Sequence, residues 1–265
     1  MNLTIDLNER KALVIAGPTA VGKTALSLLL AEELGGEIVS ADSRQIYKHM
    51  DIGTAKPTRE EQEKAPHHFI DVKMPDQYYS AGEYGREARL CVADIFSRGK
   101  TPIIVGGSGF YIKALVDGLF ASNLSDSAVK ERWSEKIRLD GIDAVYKQLW
   151  EVDPATAAVL HPNDSQRVIR AMEVWDLTGK PISSFQKGDE ANADFDPLFI
   201  GLNRERQKLY QRIENRVDIM LQSGLVDEVR QLQELGFTSQ LNALRTVGYQ
   251  EVFDYLKASF DFGTM

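Results

Sequence analysis

The chain has 265 residues, of which 43% are hydrophobic and 26% are charged, a balance that excludes a wholly disordered or fibrous protein. Its formal net charge is −8, so any binding of nucleic acid must come from a local basic patch. One cysteine, Cys91, excludes an internal disulfide, and neither a signal-peptide core nor an apolar run of the ~20 residues that span a bilayer is present. We therefore expect a cytoplasmic protein with no membrane contact.

The N-terminal part of the chain alternates strand and helix patterns. Short apolar runs predict strands at residues 11–16, 37–40, 68–72 and 101–105, and apolar spacing of 3–4 predicts helices at 22–34, 82–97 and 108–117. Such alternation predicts a parallel sheet covered on both faces.

Residues 123–178 break this rhythm, because they contain few strand patterns and several short helical ones. Asp153-Pro154 and His161-Pro162 are predicted helix starts. A polar connector is predicted at 187–196, a strand at 198–202 and a long helix at 205–223. We predict an α/β core formed by residues 1–120 and 197–265, with an all-helical domain inserted at 121–196.

A glycine-rich loop between the first strand and the first helix is the strongest motif. It matches the P-loop pattern G-x-x-x-x-G-K-[ST] and consists of Gly17, Pro18, Thr19, Ala20, Val21, Gly22, Lys23 and Thr24. Its backbone N–H groups and the helix N-terminus attract phosphate oxygens, Lys23 reaches the terminal phosphates, and Thr24 is the expected Mg²⁺ ligand. The core is therefore predicted to be P-loop NTPase-like and nucleotide-binding.

An acidic residue of the hydrolytic type does not follow residues 103–105, where the strand ends in glycines. The second strand instead leads to Asp42, which should lie near the phosphates because the carboxyl ends of parallel strands share one edge. There a carboxylate can accept a proton or help to hold Mg²⁺. The alternative is a helix N-cap, for which Asp-Ser is equally suited.

Six segments resemble the bacterial tRNA dimethylallyltransferases, also called tRNA isopentenyltransferases. They are GPTAVGKT (17–24), SADSRQIYKHMDIGTAKP (40–57), IIVGGSGFYIKAL (103–115), VDPATAAVLHPNDSQRVIRAMEV (152–174), RIENRVDIMLQSGLVDEV (212–229) and RTVGYQE (245–251). The resemblance implies transfer of a dimethylallyl group from its diphosphate to the exocyclic amine of the adenosine that follows the anticodon. The P-loop would then hold the leaving diphosphate.

The resemblance also implies residue roles. Asp42 matches the general base, whereas Ser108, at a position that is usually Thr, and Arg216 match residues that contact diphosphate together with Thr19 and Thr24. Mg²⁺ is the implied cofactor and dimethylallyl diphosphate the co-substrate.

The same resemblance implies that three segments and Lys130 contact the anticodon stem-loop of tRNA. They are Asp42, Ser43, Arg44 and Gln45; Gln166, Arg167, Val168, Ile169 and Arg170; and Arg245, Thr246, Val247, Gly248, Tyr249 and Gln250. The inserted helical domain would thus bind tRNA.

The last long helix has two predicted faces. Lys208, Arg212 and Arg216 recur every four residues and share a basic face. An apolar stripe on the same helix is expected to face the core; it consists of Leu209, Ile213, Val217 and Met220.

Several other residues have structural explanations. Tyr47, Phe110, Tyr111 and Tyr249 are candidate stacking groups for RNA bases, and each is more readily explained as core. His67 and His68 lack metal-ligand spacing, and Cys91 is expected to be a small buried side chain.

Family chains usually continue for several dozen residues beyond the VGYxE segment, into a basic helix. This chain stops about 14 residues after Glu251 without a basic cluster, so we expect weaker tRNA affinity. Three alternatives stay open: a small-molecule kinase, a prenyltransferase of free adenine nucleotides, and a nucleotide-gated RNA-binding protein without transfer activity. The preferred prediction is a monomeric tRNA dimethylallyltransferase.

Overall fold

The computed structural model describes residues 10–118, 125–185 and 193–257. The chain divides into two compact units, one formed by Met1–Val116 with Ala193–Met265 and the other by Asp117–Asn192. The predicted division lay at 121 and 197. Among the described residues no helix is both long and apolar enough to cross a membrane.

A five-stranded parallel sheet forms the centre of the first unit, as predicted. Its strands are β1 (Lys11–Ala16), β2 (Glu37–Ser40), β3 (His67–His68), β4 (Pro102–Val105) and β5 (Asp196–Gly201), in the order β3-β2-β4-β1-β5. All four neighbouring pairs are parallel. This arrangement confirms the α/β class and places the ends of β1, β2 and β4 at one edge.

The described helices are as follows: α1 (Lys23–Leu34), α2 (Arg59–Lys64), α3 (Ala81–Ser97), α4 (Gly109–Val116), α5 (Ser127–Asp140), α6 (Ile142–Val152), α7 (Pro154–Val159), α8 (Ser165–Thr178), α9 (Arg206–Gln222), α10 (Leu225–Glu234) and α11 (Tyr249–Leu256). A short 3₁₀ helix, Asn242–Leu244, precedes α11. The predicted connector at 187–196 lies outside the described residues up to 192, and β5 begins at its last residue.

Both faces of the sheet are covered along β1, β2 and β4, where alternate residues point to opposite sides, whereas the edge strand β5 leaves Leu198 and Phe199 exposed. Val14, Val39 and Ile104 belong to a large cluster that includes buried side chains of α3, α4, α10 and α11. Leu13 and Ile103 belong to a second cluster with side chains of α1. The near-continuous apolar strands follow from this double coverage.

The second unit is built from α5–α8 and has its own core, which includes Trp133, Leu149 and Val168. Asp153 caps α7, where its carboxylate accepts the Thr156 N–H at 3.0 Å, and Pro154 is the first helical residue. The prediction of a helix start there is confirmed.

Two predictions are wrong and a third is confirmed only in part. His161-Pro162 does not start a helix, because a turn follows it and Asp164 is the cap of α8. The strand predicted at 68–72 is only His67–His68, since Phe69 (φ 64°) and Asp71 (φ 56°) adopt left-handed conformations that end the extended chain. The apolar stripe of α9 lies only partly in the core: Met220 packs against it, whereas Val217 is 47% exposed and no residue of α9 is fully buried.

The side chains of His67, His68 and Cys91 make contacts within the protein. The Nε2 atom of His68 lies 2.8 Å from the Glu37 Oε2 atom, and the Nδ1 atom of His67 lies 2.8 Å from the Ala65 carbonyl oxygen. Cys91 packs half-buried against the core, and burial raises the pKa of its thiol to about 11.

Candidate active site

The P-loop joins β1 to α1 with a tightly wound backbone. A Cβ atom on Gly17 would lie 2.7 Å from the Leu202 carbonyl oxygen, so only glycine fits there. Gly22 has φ 113°, and Ala20, which is not glycine, has φ 62°. A left-handed conformation at a non-glycine residue is costly and is concentrated at ligand sites. Wound backbone of this kind presents successive N–H groups to an anion.

Three cationic side chains hold the carbonyl oxygens of this loop. Lys23 Nζ donates to the carbonyls of Gly17 and Pro18, both at 2.9 Å. Arg212 Nε donates to the Ala20 carbonyl at 2.7 Å, and Arg204 donates to the carbonyl of Val21, the next residue, at 3.4 Å. Because its carbonyls are engaged by cations, the loop has its N–H groups left for an anionic ligand.

A cleft of about 470 Å³ opens beside the P-loop, within the range of small-ligand sites. Its walls come from the P-loop and α1, the turn after β2, the segment around residue 54, the end of β4 and α9. The lining residues are Thr19, Ala20, Gly22, Lys23, Thr24, Ala25, Asp42, Gln45, Thr54, Ala55, Glu61, Gly107, Arg212, Asn215, Arg216 and Ile219.

Asp42 lies in this cleft and also caps its own turn. Its Oδ1 atom accepts the backbone N–H groups of Arg44 at 2.8 Å and of Gln45 at 3.3 Å. These bonds fix the carboxylate against the backbone. Asp42 also lines the cleft, so its carboxylate is available to a bound molecule. The capping and the ligand-facing interpretations are therefore compatible.

Lys23, Arg216 and Asp42 form one electrostatic group. Burial lowers the pKa of the Lys23 ammonium. The nearby Asp42 carboxylate raises this pKa, and the Arg216 guanidinium lowers it further. Burial likewise lowers the pKa of Arg216, and Asp42 again opposes it. Two partly desolvated cations beside one carboxylate form a site for a doubly charged anion next to a proton acceptor.

A smaller cavity of about 50 Å³ shares Lys23, Thr24, Asp42 and Gln45 with the cleft. Its further walls are of mixed polarity: Ile38, Pro57, Ile70 and Val105 are apolar, whereas Ser27, Ser40 and His67 are polar. The site thus combines a charged part with a part that offers some apolar surface.

Ser108 lies next to the cleft, at the exit of β4. Gly106 permits the close approach of the β2 exit, since a Cβ atom there would lie 2.0 Å from the Ala41 carbonyl oxygen. Gly107 lines the cleft, whereas the Ser108 Oγ atom accepts the Tyr111 N–H at 3.4 Å at the start of α4. Contact of Ser108 with diphosphate stays a prediction.

The sequence pattern did not point to several lining residues. Arg212 was placed only on a basic helix face, yet it both holds the P-loop and lines the cleft. Its spacing of four from Arg216 is the signal that could have found it. Thr54 and Ala55 fall within the resembling segment 40–57, although nothing in their residue types indicates a ligand.

The segment 245–250 is partly exposed, with Arg245 and Val247 at the surface. Tyr249 is a correction: it is completely buried and its hydroxyl donates to Glu228 at 2.6 Å, so its ring is core and has no surface for RNA. Arg44 donates to the carbonyls of Asn242 at 2.6 Å and Ala243 at 3.2 Å. Its guanidinium therefore connects the turn after β2 to the residues before α11.

The other candidate aromatics divide by burial. Tyr47 and Tyr111 are buried in the core, as their structural explanation predicts. Phe110 is 64% exposed, at the first turn of α4.

The expected RNA contacts of the second unit lie on α5 and α8. Gln166 and Arg167 are exposed, but Val168 is fully buried in the core of that unit and is corrected to a packing residue. Arg170 donates to Glu173 at 2.6 Å, and Lys130 Nζ lies 3.8 Å from the same buried carboxylate. Glu173 therefore fixes two cations from different helices together.

A family model described as IPP transferase matches residues 45–265, which is most of the chain. The chain belongs to this family. The match begins after the P-loop, so the motif at 17–24 is independent of it.

Two curated relatives of this chain extend the match to the P-loop region. A tRNA dimethylallyltransferase of Thermotoga maritima is 47% identical over 256 residues, which cover 96% of this chain and 83% of the relative. The tRNA dimethylallyltransferase 2 of Geotalea uraniireducens is 46% identical and covers 93% of this chain and 80% of the relative.

Solved structures agree with the fold. The full-length tRNA isopentenylpyrophosphate transferase of Bacillus halodurans is 37% identical, with a TM-score of 0.68 over 97% of this chain and 80% of that chain. A eukaryotic dimethylallyltransferase described as acting on tRNA is 32% identical, with a TM-score of 0.79 over 94% of this chain and 64% of that chain. The chain therefore has the same fold as enzymes of both bacterial and eukaryotic origin.

Proposed function

We propose that the chain transfers a dimethylallyl group from dimethylallyl diphosphate to the exocyclic amine of the adenosine on the 3′ side of the anticodon of tRNA. The observation that carries the proposal is the cleft in which Asp42 lies with Lys23 and Arg216, in a chain 47% identical to a tRNA dimethylallyltransferase. The allylic carbon–oxygen bond breaks, a carbon–nitrogen bond forms, and diphosphate leaves.

The residues supply the two charges that this reaction needs. The leaving diphosphate gains negative charge, which the Lys23 ammonium, the Arg216 guanidinium and the P-loop N–H groups stabilise. The amine loses a proton as it becomes bonded to carbon, and the Asp42 carboxylate accepts it. The apolar walls around Ile70 and Val105 suit the hydrocarbon part of the substrate.

Mg²⁺ is part of the proposal. The Thr24 hydroxyl lines the cleft, and a hard cation that takes its remaining oxygens from diphosphate and water could be held there. When bound, Mg²⁺ would neutralise part of the diphosphate charge.

The proposed RNA surface includes exposed and partly buried members of three segments, together with Lys130. Gln45 and Asp42 would meet the target adenosine, which must leave the anticodon stack to be modified. Arg245 and Val247 would lie against the loop, and Gln166, Arg167, Arg170 and Lys130 would hold the stem-loop from the helical insertion. We propose that the chain acts as a monomer in the cytoplasm.

The test is transfer of label from dimethylallyl diphosphate to unmodified tRNA in the presence of Mg²⁺. Label is expected at the adenosine beside the anticodon and is expected to disappear when that adenosine is replaced by inosine, which has a carbonyl oxygen in place of the exocyclic amine. ATP offered as acceptor tests transfer of the dimethylallyl group to free nucleotides, and conversion of ATP to ADP with transfer of the phosphoryl group to a small molecule tests a kinase. Label absent from tRNA, with tRNA binding intact, would favour the RNA-binding alternative.

A further inference from the structure

One carboxylate on α10 accepts four hydrogen bonds. The Glu228 Oε2 atom accepts the backbone N–H groups of Asp51 at 2.9 Å and Ile52 at 2.7 Å. Its Oε1 atom accepts the Gly53 N–H at 3.2 Å and the Tyr249 hydroxyl at 2.6 Å. Hydrogen bonds to an ionised acceptor are about twice as strong as neutral ones, so three successive N–H groups are held firmly against α10.

Residues 50–56, here called the 50–56 loop, are also held by packing. A Cβ atom on Gly53 would lie 2.5 Å from the Tyr249 ring and 3.0 Å from the Leu225 side chain. The loop therefore cannot move towards Tyr249, and it cannot move away without breaking its bonds to Glu228. Packing and hydrogen bonding together define one position for the loop.

The other end of the loop reaches the cleft. Thr54 and Ala55 line the cleft, and their carbonyls accept the Gln45 side-chain amide at 3.2 Å and 3.1 Å. The Gln45 backbone N–H in turn donates to Asp42 Oδ1 at 3.3 Å. A continuous path of hydrogen bonds and backbone thus connects Glu228 to the carboxylate proposed to accept the proton.

We propose that Glu228 is a positioning residue for the transfer, acting through the 50–56 loop and Gln45 on Asp42 and on the cleft wall. The inference rests on the proposed function. The diphosphate groups are fixed separately, because Lys23 bonds to the P-loop carbonyls and Arg216 comes from α9. Loss of Glu228 should therefore lower kcat while the KM for dimethylallyl diphosphate stays within about twofold.

The first experiment compares Glu228→Gln with Glu234→Gln. The first variant keeps the shape of the side chain but turns an amide NH₂ towards donors, whereas Glu234 is exposed on the same helix and loses the same charge. We expect kcat to fall about 10-fold in Glu228→Gln, within the range known for small misplacement of reacting groups, and not in Glu234→Gln. Equal kcat in wild type and a folded Glu228→Gln would overturn the proposal. A KM for dimethylallyl diphosphate that rises by the same factor as kcat falls would also overturn it.

A second readout does not depend on activity. Amide hydrogen exchange of a peptide covering residues 50–56 should be faster in Glu228→Gln than in wild type and unchanged in Glu234→Gln. If Glu228→Gln does not fold, Tyr249→Phe takes its place, since it removes one of the four bonds and keeps the ring against Gly53. Unchanged exchange of the loop overturns the inference. A wild-type chain that transfers no label overturns the proposed function instead.

Discussion

Asp42 has two roles that two substitutions can separate. Asp42→Ala removes both the proton acceptor and the cap of the turn, whereas Asp42→Asn keeps an oxygen that can accept the Arg44 and Gln45 N–H groups. Both should lower turnover at least ~100-fold, the usual scale for a general base, and leave tRNA binding nearly intact. Single-turnover transfer and tRNA binding are the measurements. Near-normal turnover in Asp42→Asn would assign Asp42 to capping alone.

Lys23 should give the reaction an alkaline limit. Burial lowers the pKa of its ammonium, so the charge is lost at a lower pH than for a free lysine, whose pKa is about 10.4. Because the charged form attracts diphosphate, kcat/KM for dimethylallyl diphosphate should fall as pH rises through that lowered pKa. Lys23→Arg keeps the charge over this range, so its profile should stay flat to higher pH. The same alkaline fall in both proteins would assign it to another group.

At the level of single residues, the contiguous motif was the predictable part of the site. The P-loop is readable because its eight residues are adjacent, and Asp42 because strand ends share an edge of a parallel sheet. The hydrogen bond from Arg212 to the Ala20 carbonyl joins residues far apart in the chain, and no local sequence pattern predicts it. The same holds for Glu228 and the 50–56 loop.

At the level of elements, apolar runs and the glycines that end them predicted most of the strands and helices of the first unit. β1, β2 and β4 and helices α1, α3 and α4 begin and end within about two residues of their predicted bounds. α2 was not predicted, although Thr58 and Glu61 form the capping box that marks its start. β3 was overextended because the left-handed conformations that end it leave no apolar signal.

The apolar periodicity of α9 did not predict how deeply its apolar face is buried. Its apolar spacing identifies residues that share a face, but it does not say what that face meets, and Val217 is 47% exposed. Val217→Ala should therefore change the free energy of unfolding by less than about 0.5 kcal/mol. Val229→Ala on α10, where the side chain is fully buried, should cost about 2 kcal/mol for two lost methyl groups and their cavity.

Urea denaturation of the two variants measures this difference. Both substitutions exchange the same residues within a helix, so the change in helix propensity cancels between them. Equal losses of stability would mean that the exposed face of α9 is covered in solution.

At the level of the whole molecule, a net charge of −8 is opposed to binding of a polyanion. The proposed RNA surface resolves this conflict by local arrangement, since Glu173 fixes Lys130 and Arg170 together and Arg167 is exposed on the same helix. The cleft residues belong to the other unit. Substitutions in the second unit should therefore change RNA affinity without changing diphosphate affinity.

Arg167→Gln tests this separation. Removing one phosphate contact should weaken tRNA binding and reduce the slope of log K against log salt by about 0.7 to 0.9, while the KM for dimethylallyl diphosphate is unchanged. Arg138→Gln is the matched control, because Arg138 is an exposed arginine of the same unit that also pairs with a nearby carboxylate. tRNA affinity is measured for each variant at several salt concentrations. If both variants lose affinity equally, the charge of the unit as a whole attracts RNA, and the segment 166–170 has no special place in binding.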